Sequence, residues 1–403
     1  MKKQTTFVLM AAVLLFSCKK GSEVQTPDAE AEASNKKTAA VTSIDASIIQ
    51  QTVQGFGGAS IPIWIGDLTS AQREKAFSAT NGIGLSILRV MVPTSSAQFA
   101  AEKPTIDAAK GYGAKVIATA WNAPASMMDG LKLKTSSYAA YAAHLSSYNS
   151  AVGGVYAISP WNEPNYSASG WMGATATEVA NFVAAQGSNC GAPIMAPEPL
   201  DMSQSFINTY LSNATAKSKT AFIAGHIYGS TPYNLGNIGK SVWQTEHYTN
   251  SQISGNDWGN AMTAAKEIHD CMNSGWAAYV WWYIRRSYGP IDESGNITKL
   301  GYVMAQFAKF VRPGSSKISC SSNPTPGVYV TAYKNGSKIT IVIVNQNTAT
   351  TYQTFSIGGA TVTGFNRYFT TSSANLSSNS ITVSNNSFGI NLAPSSVTTL
   401  VSQ

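Results

Sequence analysis

Charge is scarce in this chain: only 12% of its 403 residues are Asp, Glu, Lys or Arg. Past Lys2 and Lys3, the only adjacent basic residues are the pairs Lys19-Lys20, Lys36-Lys37 and Arg285-Arg286, so the net charge of +7 is scattered along the chain. That leaves no basic stripe of the kind that tracks a phosphate backbone, and a nucleic-acid partner is not expected. Cysteine and histidine are rare too, at four each. No C-x-x-C, Cys/His cluster or H-E-x-x-H occurs, so neither a metal nor a cofactor is expected. Beyond Cys18, the residues Cys190, Cys271 and Cys320 leave room for one disulfide without choosing its pair. The stretch "GFGGAS" does not fit G-x-G-x-x-G, which argues against a dinucleotide fold.

Apolar and aromatic residues are plentiful, with 44% hydrophobic, nine Trp and eighteen Tyr. Flat rings fill cores, and they also stack on sugars at little entropic cost. The N-terminus "MKKQTTFVLMAAVLLFSC" pairs a charged start with an apolar run too short to span a bilayer comfortably. A small residue before Cys18 closes the run, as in a bacterial lipoprotein cleavage box. Residues 1–17 are read as a signal peptide and Cys18 as the lipidated residue. The polar, Ala/Ser-rich stretch 18–42 is read as a flexible tether. The expectation is an exported, membrane-anchored envelope lipoprotein, at the outer membrane or cell surface, and otherwise a secreted protein. Membrane association comes only through that anchor, and a monomer is expected.

From about 53 to 310, eight short apolar runs alternate with helix-like stretches: "VQGFGGA", "LSILRVMV", "KVIATAW", "VYAISPW", "APIMAP", "AFIAGHIYG", "SVWQTEHY" and "AAYVWWYI". Eight strand–helix units over ~250 residues predict a (β/α)8 TIM barrel, placed at 55–311. From 312 to 403 the pattern changes to period two with an Asn-Gly turn, predicting a small antiparallel side β-domain. Residues 43–54 are strand-like and are expected to join that domain.

Barrel active sites collect at the C-terminal ends of the strands. The fourth run ends "ISPWNEPN", with Asn162 and Glu163, and the seventh ends "WQTEHY", with Glu246. Two carboxyls so placed suit glycosidic bond cleavage. One protonates the leaving oxygen while the other meets the oxocarbenium-like centre. Alternation puts Val242, Gln244, Glu246 and Tyr248 on one face of the seventh strand. It puts Trp282, Ile284, Arg286 and Tyr288 on one face of the eighth. Glu198, in "APEPL", reads as an ordinary loop carboxylate and is not selected.

The segments "QGFGG", "LSILRV", "YAISPWNEPN", "APEP", "GHIYG", "QTEHY", "YVWWYIRRSYGPI", "GYVMAQFAKFVRPG" and "PSSVTTLV" follow one another over about 45–403. In this order they resemble family-30 glycoside hydrolases, specifically the bacterial glucuronoxylanases of subfamily 8. The most specific segment is "WWYIRRSYGP". The resemblance implies a retaining endo-β-1,4-xylanase with Glu163 as acid/base and Glu246 as nucleophile. It implies substrate contacts from Trp64, Arg89, Trp121, Asn162, Tyr166, Tyr228, Tyr248, Ser251, Trp282, Arg286 and Tyr288. Among these, Asn162 would bond the sugar 2-hydroxyl and Arg89 would keep Glu246 ionised. Trp121 and Tyr228 would line the subsite of the cleaved xylose. Arg286 would grip the carboxylate of a glucuronic acid branch on xylan, or of its 4-O-methyl ether. Glucuronoxylan is thus the expected partner, and Arg285 is given a structural role.

The chain departs from the family at Asn165, where Asp is usual. It also lacks a second tryptophan usual after the third strand, and has fewer tryptophans after Asn165 than is usual. Two other readings remain open: a family-30 endoxylanase or β-glucanase indifferent to glucuronate, and a non-catalytic carbohydrate-binding surface lipoprotein.

Overall fold

A computed structural model describes residues 40–166 and 170–403. The eight runs become eight parallel strands closed into a barrel in chain order. They are Gly55–Ala59, Ile87–Met91, Lys115–Thr119, Ala157–Ser159, Ile194–Pro197, Thr220–His226, Ser241–His247 and Ala278–Tyr283. Helices return the chain outside the barrel, among them Ser70–Phe77, Lys103–Gly111, Tyr138–Ala151, Ala176–Gln186, Trp258–Asn273 and Lys299–Ala308. Their starts are locally encoded. Thr69 and Thr175 each close a reciprocal capping box, with Gln72 and Glu178, which satisfies amides the first turn would leave free. Cys18, the expected signal peptide and most of the expected tether lie outside the described residues. Among those described, no helix is long and apolar enough to cross a membrane.

The barrel sorts its side chains by strand parity. Leu88, Val90, Val116, Ala118, Ile158 and Ile223 point outward into the core shared with the helices. Ile87, Ile117, Ala157, Met195, Phe222, Ala224, Trp243, Ala278 and Val280 fill the interior. Phe222 and Trp243 stack there with ring centres 4.0 Å apart. The barrel interior is therefore a packed plug, and chemistry is confined to its rim.

Apart from a small two-stranded hairpin, Met128–Asp129 with Lys132–Leu133, the remaining strands form one nine-stranded sheet. Val41–Thr52 lies inside it, antiparallel to Ser316–Cys320 and parallel to Thr351–Gly358. That parallel pair departs from the all-antiparallel expectation: the strand arrives from the other end of the chain, so no hairpin fixes its direction. Near its two edges the sheet curls upon itself, bringing Phe365 and Phe388 to 5.2 Å. One face packs its own core around Ile44, Ile318, Ile341 and Phe355. The other sends Tyr333, Val342, Val344 and Val397 into the barrel's outer core. Polar bonds lock the contact: Thr399 Oγ1 donates to the Gln306 carbonyl at 2.7 Å, and Trp258 Nε1 to that of Ser395 at 3.0 Å.

Candidate active site

One step above the apolar plug, the inward-facing positions turn polar. Arg89, Thr119, Ser159, Glu198, His226 and Thr245 sit at the C-terminal ends of six strands, all without solvent exposure. For five of them parity dictates this, since each lies two residues beyond an interior side chain: Ile87, Ile117, Ala157, Ala224 or Trp243. A buried polar layer survives only if its members satisfy one another.

Arg89 holds three groups at once. Nη1 donates to Glu246 Oε2 at 2.6 Å, while Nη2 donates to Asn162 Oδ1 at 2.7 Å and Glu198 Oε1 at 3.1 Å. Glu198 also accepts from Thr119 Oγ1 at 3.1 Å and Thr245 Oγ1 at 2.9 Å. His226 bridges two carboxyls, with Nδ1 at 2.8 Å from Glu163 Oε1 and Nε2 at 3.3 Å from Glu198 Oε1. Burial disfavours charge on Glu198, yet Arg89 and His226 outweigh it and hold the carboxyl at about 2. Burial likewise opposes a charged His226, but the surrounding carboxyls, Glu246 first, raise it to about 9. Burial raises the Glu246 carboxyl, with the Glu163 charge adding to it; His226, Arg89 and the Tyr228 hydroxyl, which donates at 2.9 Å, oppose the rise.

Backbone conformation fixes two of these carboxyls. Glu163 and Glu198 both adopt left-handed φ, at 48° and 58°. The Glu163 amide donates to the Glu198 carbonyl at 3.0 Å. Non-glycine residues held this way are strained and persist where their surroundings demand it.

Strand parity fails where the chemistry begins. A register shift separates Gln244 from Glu246 on the seventh strand, so Thr245 and Glu246, consecutive in sequence, both reach the polar layer. Gln244 turns back and its Oε1 accepts the Val280 amide at 2.6 Å, replacing a lost ladder bond. Val242 packs outward. The expected shared face of Val242, Gln244 and Glu246 is therefore wrong, and a bulge delivers Glu246 to the rim. The eighth strand shifts between Trp281 and Tyr283. Trp282 and Tyr283 both join the cleft's aromatic cluster while Ile284 is buried in the outer core, so Ile284 does not share a face with Trp282.

Above the layer lies a cavity of about 510 Å3, lined by Trp64, Trp121, Asn162, Glu163, Tyr166, Trp171, Leu200, Tyr228, Glu246, Tyr248 and Trp282. Trp64, Trp121 and Trp282 form one aromatic wall, with ring centres 5.3–6.4 Å apart. Arg89 lies beneath it, its guanidinium 4.6 Å from the Trp121 ring centre. One oxygen of Glu163, one of Glu246 and a His226 ring nitrogen lie within 4.8 Å of one another. They are close enough to share a cation, and of the three only Glu246 is paired with Arg89.

Besides Arg89, which lies beneath the wall, three expected residues lie outside the cavity lining. Arg286 Nη1 is 3.4 Å from Glu293 Oε1, and its guanidinium lies 5.4 Å from the Tyr283 ring centre. Tyr288 stands 5.4 Å from Tyr248, and burial pushes its hydroxyl up to about 12 against the opposing charge of Arg286. Ser251 sits in the turn after the seventh strand, where its hydroxyl accepts from Gln252 at 3.5 Å. Asn165, the departure from the family, donates to Asp201 at 3.1 Å; an aspartate there would face a second carboxylate. A neighbouring hollow of about 580 Å3, touching Lys132, Asn165, Thr175 and Phe206, is lined by no carboxyl.

Glu198, His226 and Trp171 were not singled out from sequence. The first two satisfy the rule that selected Glu163, a polar residue ending a barrel run. Trp171 follows a long loop and carries no such signal.

No family model matches the chain. It is 38% identical over 384 residues to the glucuronoxylanase XynC of Bacillus subtilis strain 168, covering 89% of this chain and 90% of that protein. Its structure superposes on a GH30 endoxylanase from Clostridium papyrosolvens C71 with a TM-score of 0.84 at 31% identity, covering 90% of this chain and all of the other. The glycoside hydrolase family 30 subfamily 8 xylanase Xyn30A of Clostridium acetobutylicum gives 0.83 at 31% identity, over 90% and 99% of the two chains. With likeness running through both barrel and side sheet, the chain belongs to glycoside hydrolase family 30, among the glucuronoxylanases of subfamily 8.

Proposed function

We propose that the protein is a retaining endo-β-1,4-xylanase, acting as a monomer, that cuts glucuronoxylan beside a glucuronic acid branch or its 4-O-methyl ether. The observation carrying this is the closeness of Glu163 and Glu246, within 4.8 Å through their nearest oxygens. Retaining enzymes hold their two carboxyls about 5–5.5 Å apart, whereas inverting enzymes leave room for water. Glu246 attacks the anomeric carbon while Glu163 gives its proton to the departing glycosidic oxygen. Glu163 then takes a proton from water, which releases the sugar from Glu246. Arg89 and Tyr228 hold Glu246 by hydrogen bonds that favour its charged form. Asn162, oriented by Arg89, is placed to meet the 2-hydroxyl. The Trp64, Trp121 and Trp282 wall offers apolar faces to xylose.

Arg286 supplies the branch preference. Its planar fork suits a carboxylate, and Tyr288 stands beside it. Glu163→Gln and Glu246→Gln should each abolish nearly all release of reducing sugar, with the β-anomer formed first by the wild type. Arg286→Ala should cut kcat/KM on glucuronoxylan on the order of 100-fold while sparing carboxyl-reduced xylan. An inverted product refutes the retaining assignment, and an unchanged substrate ratio refutes the anchor.

For location, the proposal is lipidation of Cys18 and retention in the envelope. Cys18→Ser should move the enzyme from the membrane to the soluble fraction.

A further inference from the structure

Glu198 and His226 belong to no part of the mechanism just described, yet they lie beneath both reacting carboxyls. Each is fully buried. Glu198 shares Arg89 with Glu246, and shares His226 with Glu163. Both His226 nitrogens therefore face carboxyl oxygens, Nδ1 toward Glu163 Oε1 at 2.8 Å and Nε2 toward Glu198 Oε1 at 3.3 Å. No third carboxyl is nearer than Glu246 Oε2, 4.0 Å from Nε2.

From this geometry we infer that Glu198 and His226 are a pair of positioning residues that fix which oxygen of Glu163 carries the proton it delivers. The inference rests on Glu163 being the general acid. With an anion anchored under Nε2, the ring keeps a proton on each nitrogen and donates in both directions. Glu163 Oε1 must then act as an acceptor, so its own proton resides on Oε2. When the glycosidic bond breaks, the Oε2 proton passes to the leaving oxygen and Glu246 forms the new bond to the anomeric carbon. His226 gives up nothing. The high proton affinity of His226 and the firmly ionised Glu198 agree with this arrangement.

Glu198 is itself held by four donors: Arg89, Thr119, Thr245 and His226. Remove its charge and the imidazole loses the partner that keeps it doubly protonated. A neutral ring donating from Nε2 presents a bare Nδ1 to Glu163. The acid proton is then drawn to Oε1, away from the substrate.

Leaving-group dependence separates this role from a purely structural one, because a dinitrophenolate departs without proton help. The two substrates are glucuronoxylan and a dinitrophenyl β-glycoside of a glucuronate-branched xylo-oligosaccharide. Glu198→Gln should lower kcat/KM, which reports bond cleavage and not the later release from Glu246, about 100-fold on the polymer, within the usual worth of general acid catalysis, and less than about fivefold on the aryl glycoside. His226→Asn, whose amide nitrogen overlies Nδ1, should retain clearly more polymer activity than His226→Gln, whose amide nitrogen overlies Nε2. Thermal unfolding of each variant confirms that it is folded, and the Asn/Gln pair decides the matter if Glu198→Gln is not. Equal losses on both substrates, no loss on the polymer, or indistinguishable Asn and Gln variants overturn the inference. Glu163→Gln serves as reference: if its kcat/KM falls equally on both substrates, the assignment of Glu163 as acid fails. If it spares the aryl glycoside while Glu198→Gln does not, only the positioning pair fails.

Discussion

Arg285 donates to three backbone carbonyls of the loop after the first barrel strand: Ile65, Gly66 at 3.1 Å and Asp67 at 3.2 Å. That loop carries Trp64, one face of the aromatic wall. Arg285→Ala should cost about 2 kcal/mol of stability, the scale of charge-assisted hydrogen bonds. It should raise KM on decorated and undecorated xylan alike. Thermal melts and kinetics on both polymers check this, and a shifted preference between them would move the anchoring role to Arg285. Arg286, by contrast, is 40% exposed and answers to the Glu293 carboxylate at 3.4 Å. On the proposed anchoring role of Arg286, an incoming glucuronate has to replace Glu293, yet the exposed pair is worth at most about 1 kcal/mol. Glu293→Gln should therefore lower KM for glucuronoxylan no more than about fivefold, as measured by initial rates at low salt.

At the scale of elements, the short helical turn Ser96–Glu102 ends on a carboxyl with no exposure and no hydrogen-bond partner on either oxygen. Burial, and then the charge of Asp67, push the Glu102 carboxyl well above its ordinary value. The unfolded chain ionises this group near pH 4.3, while the native state keeps it protonated to higher pH. Its effect on stability is therefore absent at acid pH, and a penalty grows as pH rises through the unfolded value toward the folded one. Glu102→Gln should match the wild type near pH 4 and exceed it by on the order of 1–3 kcal/mol at pH 7. Denaturant titrations at the two pH values measure the difference.

Elements were also where the sequence could and could not be read. Strands and helices announce themselves by period, and Glu163 and Glu246 are visible because they end apolar runs. The face assignments failed at Val242, Gln244 and Ile284, because a bulge inserts one residue and alternation carries no mark of it. Glu198 was passed over because "APEP" resembles a solvated turn. Only the closed barrel brings it against Arg89 and His226, from residues 109 and 28 positions away.

For the molecule as a whole, the side sheet is part of the barrel's support. Gln306 in the last barrel helix bonds Thr370, and Lys299 reaches the Thr371 carbonyl. Tyr333, Val342, Val344 and Val397 complete the core around Trp258–Asn273 and Lys299–Ala308. Deleting 316–403 should leave an insoluble barrel, and the intact chain should unfold in one calorimetric transition. Two separate transitions would show that barrel and sheet fold independently.

The strand Val41–Thr52 also sets an order of events. Its partners in the sheet include Cys320 beside Ile44 and Thr354 beside Val41. During synthesis this segment leaves the ribosome long before either neighbour exists. It carries Val41, Ile48 and Ile49, which stay exposed even in the finished fold. Residues so far apart pair slowly, because loop closure precedes any gain from contact. The barrel's eighth strand is complete before the sheet can accept its first-made member, so an interrupted chain displays an unpaired apolar strand for its entire length. Such an edge invites pairing with other chains. The enzyme's most aggregation-prone moment therefore comes late in synthesis, just before the strand at Thr351–Gly358 arrives to flank it.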